Sequence, residues 1–329
     1  MASSLKSRFS ARRLLRVFGV MVLAVIVAGG ALVWRWGPRY GIYLFPPSPA
    51  AYAEQAISKM GQGYFAEGDL WAEARAKALR QVSAANSYEA TLPALKEALA
   101  VAGGPSSQLA EKKDKTKGEK GQLPLPGIGT KARITTITVP KIESSDADYH
   151  EKYARSMSTG IHSAKSGTCG WIVDLRGNTG GDALAMLSGL SPLLTDGVVA
   201  GWEKRNGKSG EVVVSGDKVK VGRRSLETDH GGKVRGQVAI LQDGRTSHSA
   251  ELVVVAFRGQ PGVRSFGMPT TGNSAVRQSV PLYDGRTLQL TIGVDTDRSG
   301  VRYGGPVEPQ EKAADALSAA TKWLATSCR

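Results

Sequence analysis

Cysteine and histidine are scarce in this sequence. Only two of its 329 residues are cysteine, Cys169 and Cys328, so a disulfide-rich fold is excluded. A single bridge between them stays open, and Cys169, just ahead of an apolar run, reads equally as a small buried residue. The four histidines are scattered, no ligand spacing recurs, and neither a metal site nor a cofactor is called for. Aromatics make up 6% and do not interleave with the cations, and zinc-finger spacing is missing. The formal charge of +14 and pI of about 9.8 are therefore not read as nucleic-acid binding. What is abundant is apolar residue, at 41%, and glycine, at 40 positions, in a chain long enough for one large domain or two smaller ones.

Part of the basic excess is local. Lys6, Arg8, Arg12, Arg13 and Arg16 precede Val17–Trp34, eighteen residues without a charge, and no acidic residue comes before them. That charge step predicts one membrane-spanning signal-anchor with its basic tail in the cytoplasm and the rest of the chain outside it. The expected organisation is a tail over 1–16, a transmembrane helix over 17–36, a helical bundle over 37–110, a basic linker or cap over 111–130 and an α/β core with a mixed sheet over 131–329. In the bundle, apolar spacing predicts helices over Ala51–Phe65, Leu70–Ala84 and Tyr88–Ala102, with Pro93 acceptable only in a first turn. Gly103–Gly104 ends the third, and Pro105–Ser106–Ser107 follows.

The core is organised around Gly170–Gly181, GWIVDLRGNTGG. Trp171–Val173 reads as a buried strand, Gly177–Asn178 as a turn, and Ala183–Leu190 as a helix. Such a glycine turn between strand and helix presents backbone N–H groups that suit an anion or a developing oxyanion. Further strands are expected over Ala132–Val139, Gly236–Leu241, Val263–Phe266 and Thr287–Val294. A hairpin is expected across Ser215–Asp217, and helices over Tyr149–Ser158, about Thr246–Phe257 and Glu311–Ala325. His150 and His162 read as surface or satisfied residues.

Several segments in one order, GWIVDLRGNTGG, VAILQDGRTSHSAELVVVAFRG, FGMPTTGN, LYDGRTLQLT and DTDRSGVRYGGPVEPQ, resemble the tail-specific or carboxyl-terminal-processing serine peptidases over about residues 130–310. In its expected N-terminal anchor, helical bundle, protease core and missing PDZ domain the layout is most similar to the branch that contains the nisin-resistance peptidase. The resemblance implies hydrolysis of peptide bonds in an extracytoplasmic peptide or protein through a serine acyl-enzyme. With the charge step it implies a single-pass protein of a bacterial inner membrane, its C-terminal domain periplasmic or extracellular. It leaves the oligomeric state and the substrate open.

The site departs from the family pattern. The family's Thr-x-Ser-Ser/Ala-x-Glu segment corresponds to Thr246–Glu251, which puts His248 at the nucleophile's position with Ser247 and Ser249 beside it. The family's Gly-Gly-x-His-Ser corresponds to Gly103–Ser107, which puts Ser106 at the histidine's position. Asn273 takes the place of the lysine used in the other branch. Three arrangements follow: an exchanged dyad with Ser106 as nucleophile and His248 as base, a shifted nucleophile at Ser249 or Ser247, or a peptide-binding pseudoprotease without efficient hydrolysis. A serine needs a base within hydrogen-bond reach, and a neutral histidine meets that need near pH 7. By the same resemblance Gly180 and Gly181 supply oxyanion donors. Glu251 is expected to support the helix start, accepting amides or pairing with Arg245. Asp174 and Arg176 are expected to hold the glycine loop.

Overall fold

The fold follows from where the buried runs pair. A computed structural model describes residues 5–37, 45–111, 123–207, 209–228, 232–273 and 275–328. The run Trp171–Val173 lies in β4 (Gly170–Asp174), at the middle of a six-stranded sheet. Its neighbours are β3 (Ile134–Thr138) and β9 (Gln237–Gln242), both parallel to it, with Val173 opposite Ile137 and Ile240. Beyond β9 lie β10 (Val263–Gly267) and β14 (Glu311–Lys312), again parallel, and beyond β3 lies antiparallel β2 (Gly127–Lys131). Near-continuous apolar composition fits strands covered on both faces. One face is covered by α8 (Ala316–Ala325), through Ala316, Ala320 and Leu324. The other meets α5 (Ala147–Ala164), α6 (Ala183–Gly189) and α7 (Ser249–Phe257) in the main core.

A second, eight-stranded sheet closes that core from the far side. Its β5 (Gly197–Lys204), β6 (Ser209–Ser215), β7 (Lys218–Val221) and β8 (Arg224–Glu227) run antiparallel, and Ser215 pairs with Lys218 across the expected hairpin. The sheet continues through β12 (Thr287–Asp297) to β1 (Gln108–Ala110), with β11 (Ala275–Pro281) and β13 (Arg302–Tyr303) also paired to β12. Leu288 and Leu290 of β12 pack into the bundle of α2 (Pro49–Met60), α3 (Gly68–Val82) and α4 (Tyr88–Gly103). Ser48 and Ser87 cap α2 and α4, accepting hydrogen bonds from Ala51 N and Ala90 N.

Four local expectations change. Pro93 lies inside α4, beyond its first turn. Glu311–Lys312 pairs as a strand, so the last helix begins only at Ala316, where Asp315 caps it. Arg302–Tyr303 forms a short strand where none was expected. Cys169 and Cys328 are disulfide-bonded, their Cα atoms 5.3 Å apart, which ties the end of the chain to the start of β4.

The expected membrane anchor is not found. The first helix, α1, runs Leu5–Trp36, but among the described residues no helix is long and apolar enough to cross a membrane. Its early turns carry the cations up to Arg16, and Arg35 closes it. The stretch between them is eighteen residues, at the short end for a spanning helix, and includes Gly19, Gly29 and Gly30. The signal-anchor, the attachment to a membrane through this helix and the single-pass inner-membrane placement fall with it. The basic linker expected over 111–130 lies largely outside the described residues.

Candidate active site

Parallel strands send their following loops to one edge of the sheet, and this is where ligands meet α/β folds. Here β4, β9 and β10 deliver three loops to that edge: 175–182, 243–248 and 268–273. The first two are joined along their backbones. Ser247 N–H donates to Asn178 O at 3.0 Å, and Thr246 Oγ1 donates to Leu175 O at 2.9 Å. Asp243 accepts Gly177 N–H, Arg245 N–H and Thr246 N–H, each at 3.0 Å, on Oδ1. These three amides hold the Asp243 carboxyl below its usual range despite partial burial.

The 243–248 loop ends in a strained turn. His248 is the N-cap of α7 with φ 57° and ψ −124°, a region that residues with a Cβ seldom occupy. The turn brings His248 back over its neighbour, and Nδ1 lies 3.0 Å from Ser247 Oγ. Adjacent residues on a regular helix point about 100° apart, so the positive φ is what makes the contact. Ser249 points elsewhere and donates its hydroxyl to Gly181 O at 2.7 Å.

Gly180 is pressed against this turn. A Cβ built on it would lie 2.8 Å from His248 Cβ and 3.1 Å from Ser247 O. Its own N–H donates to Asn178 Oδ1 at 2.8 Å. At Gly181, with φ 127°, a Cβ would lie 2.3 Å from Ile142 O. Only glycine permits both approaches. Asn178 anchors the loop in turn, donating Nδ2–H to Val139 O at 2.8 Å. Asp174 and Arg176 form a local pair, Nη2 to Oδ2 at 2.7 Å, and the loop's backbone is held by Asp243 and Asn178.

Glu251 joins the site to the third loop. Its carboxylate is fully buried. Oε2 accepts His248 N–H at 3.0 Å, while Oε1 accepts Gly272 N–H at 2.7 Å and the Thr270 hydroxyl. Asn273 N–H adds a further donor. Burial wins over these donors and pushes the carboxyl up to about 7. Arg245, the partner expected for Glu251, faces Asp243 instead. Ser106 reaches the same turn from the bundle, donating Oγ–H to Gly272 O at 2.8 Å. Ser106 and His248 are thus linked through Gly272 and Glu251, while the imidazole contacts Ser247.

Asn178, Asp243 and Thr270 escape a reading of the sequence. Each acts on backbone groups of a segment distant in the chain, and the one local signal was a small polar residue beside a glycine or proline.

A strained turn at the head of a helix, with a serine and a histidine in contact beside a glycine loop at the carboxyl edge of a parallel sheet, is a setting of the kind in which nucleophilic hydrolases place their reactive groups. The profile of peptidase family S41 matches residues 133–312, and the chain belongs to that family. It is 32% identical over 311 residues to the nisin-resistance protein of Lactococcus lactis subsp. lactis, covering 94% of this chain and 96% of that one. Among solved structures it is similar to a lipoprotein from Streptococcus agalactiae, with TM-score 0.70 and 26% identity over 87% of this chain and 99% of the other. A putative peptidase from Parabacteroides merdae shares the fold, with TM-score 0.63 and 15% identity over 85% and 97% of the two chains.

Proposed function

We propose that this protein is a serine-type peptidase that hydrolyses peptide bonds in extracytoplasmic peptides, with His248 as base and Ser247 as nucleophile. The contact between Ser247 Oγ and His248 Nδ1, 3.0 Å, carries the assignment. With the imidazole proton on Nε2, Nδ1 takes the hydroxyl proton as Oγ attacks the carbonyl carbon. The protonated imidazole then gives that proton to the leaving amine, and water hydrolyses the acyl-serine by the reverse proton path. The 180–181 loop packs against the Ser247–His248 turn, with the Gly180 N–H engaged by Asn178 Oδ1. Membership of family S41 supports the reaction class, and the Cys169–Cys328 bridge supports an oxidising compartment outside the cytoplasm.

A second assignment keeps His248 and takes Ser106 as nucleophile. The hydrogen-bonded path from Ser106 through Gly272 and Glu251 to His248 favours it, because it fixes the two residues about one turn. Both hydroxyls are nearly covered, with Ser247 4% and Ser106 5% exposed, so either requires the cleft to open for substrate. Fluorophosphonate labelling of the purified protein, mapped by mass spectrometry, separates the assignments. Adduct at Ser247, lost in His248→Ala, is the expected result. Adduct at Ser106 moves the nucleophile to the bundle. No adduct on folded protein replaces hydrolysis with peptide binding.

A further inference from the structure

Where the bundle meets the core, one large apolar side chain stands half out of the protein on a backbone that is held firmly. Phe65 is 40% exposed. Its segment is fixed on three sides. Tyr64 N–H donates to Thr291 O of β12 at 2.8 Å, and Phe65 N–H donates to Ala102 O of α4 at 3.0 Å. The Arg205 guanidinium, at the end of β5, donates to Ala66 O and, at 2.7 Å, to Gly61 O. The ring therefore does not owe its position to burial of its own surface. Its exposure comes at a cost, because an aromatic ring left in water forgoes the transfer free energy that burial brings.

The ring lies between two glycines of different elements. A Cβ on Gly104, which caps α4 at φ 67°, would lie 2.7 Å from Phe65 Cε2. A Cβ on Gly304 would lie 4.0 Å from Phe65 Cζ. Gly104 is two positions from Ser106, whose hydroxyl reaches Gly272. Gly304 is two positions from Pro306, against which Gly272 packs, since a Cβ there would meet Pro306 Cδ at 2.7 Å. Two routes along the chain thus lead from the ring to the turn held by Glu251. The side chains next to Gly304 are turned away: Arg302 pairs with Glu203, and the Tyr303 hydroxyl donates to Asp297 Oδ2 at 2.9 Å. Beyond Gly304, the space over Gly305 is open, with no atom within 4 Å of a Cβ built there. Over Gly304 itself a Cβ would lie 3.1 Å from Val294 Cγ1, so the open backbone is at Gly305, beside the aromatic wall at the junction where Ser106 enters.

We infer that Phe65 forms the wall of a substrate subsite that takes a bulky apolar side chain of the peptide, while the open backbone at Gly305 admits the peptide main chain. The inference rests on the peptide-cleft reading above and deepens it by naming the class of side chain selected. An apolar wall discriminates between side chains by roughly 10- to 200-fold in kcat/KM, and rigid placement avoids the cost of ordering the ring at binding.

The test uses the full chain with a mixture-based octapeptide library, and then two octapeptides that differ only by Phe or Ser at the enriched position. The wild type is expected to cleave next to, or within a few residues of, Phe, Leu or Met. Phe65→Ala is expected to lose about tenfold in kcat/KM on the Phe peptide and nothing on the Ser peptide. Phe65→Leu keeps most of the preference, and unchanged unfolding temperatures show that neither variant disturbs the fold. Equal loss on both peptides, or an unchanged preference in Phe65→Ala, overturns the inference. If the wild type cleaves neither peptide, equilibrium binding of the same two peptides decides. Weaker binding of the Phe peptide alone by Phe65→Ala upholds the subsite while hydrolysis falls, and equal binding by both proteins overturns it.

Discussion

The hydroxyl of Ser106 donates to the carbonyl of Gly272, 166 positions further along the chain, at 2.8 Å. This bond fastens the loop after α4 to the turn whose amides hold Glu251, so the bundle reaches into the edge of the sheet where the loops after β4, β9 and β10 gather.

Ser106→Ala removes that bond and leaves the Gly272 carbonyl without its hydroxyl donor. A buried hydrogen bond of this kind contributes about 1 kcal/mol, and denaturant unfolding should show a loss of that size. With Ser247 as nucleophile, hydrolysis by Ser106→Ala stays within about tenfold of wild type, a modest change set against the losses of roughly 10⁴ or more seen when a nucleophile is removed. Complete loss of turnover in a folded Ser106→Ala protein makes Ser106 the attacking residue.

His248 occupies its positive-φ conformation at a cost of order 1–3 kcal/mol. His248→Gly relieves that strain and removes the base in one step. The variant is expected to unfold at or above the wild-type temperature in calorimetry while peptide hydrolysis disappears. A large fall in unfolding temperature shows that the imidazole, through Ser247, holds the turn more strongly than the backbone resists it.

Glu251 makes stability depend on pH in a predictable direction. Its carboxyl is pushed up to about 7 by burial, above the ordinary value near 4.5, so the folded chain holds this proton more tightly than the unfolded chain does. Its contribution is complete below about pH 4.5 and is lost as pH rises through about 7, a change on the order of 3 kcal/mol for this carboxyl alone. Glu251→Gln carries no such titration. Urea unfolding across pH 4–8 should show the wild type losing stability relative to Glu251→Gln between those limits, with parallel behaviour above them. Parallel behaviour throughout shows that the carboxyl ionises in place without penalty.

Cys169 and Cys328 are 159 positions apart, and their bridge closes most of the core into one covalent loop. A loop of this length corresponds to about 5 kcal/mol of denatured-state entropy in the chain-closure model, and removal of native bridges typically costs about 2–5 kcal/mol. Cys169→Ser with Cys328→Ser should lower the unfolding temperature on the order of 10 °C. Limited proteolysis near residue 325 should accelerate as α8 frays. Unchanged unfolding in the double variant shows that the packing of Ala316, Ala320 and Leu324 on the sheet suffices alone.

The strands β3, β4, β9, β10 and β12, the β6–β7 hairpin and most helices were legible in the sequence because they depend on short periods, whereas β1, β2, β5, β8 and β11 were not expected. Trp171–Val173, Val238–Leu241 and the Ser215–Asp217 hairpin carry their pattern within a few residues. The first helix shows the limit of such reading. A charge step and an uncharged run suggested an anchor, but among the described residues no helix is long and apolar enough to cross a membrane. Of the candidate site, Ser106, Ser247, His248, Ser249 and Glu251 were singled out in the sequence, and the partners the structure gives them were not. The contact between Ser247 and His248 depends on a backbone conformation that histidine rarely takes, and the separate role of Ser249 follows from the same turn. Asp243, Asn178 and Thr270 act across loops, where spacing in sequence says nothing about distance. The pairing of Glu311–Lys312 with β10 was hidden for the same reason.

The setting of His248 is built from main-chain groups: its N–H is held by Glu251, its carbonyl accepts from Glu251 N–H and Leu252 N–H, and Gly180 packs at its back. None of these holds requires an imidazole. These backbone bonds would therefore persist when the side chain at 248 changes, while the Nδ1 contact to Ser247 would not. A position held in this way can carry different side chains on the same backbone bonds. A cleft made this way is a natural starting point for installing other chemistries by single exchanges at one fixed position.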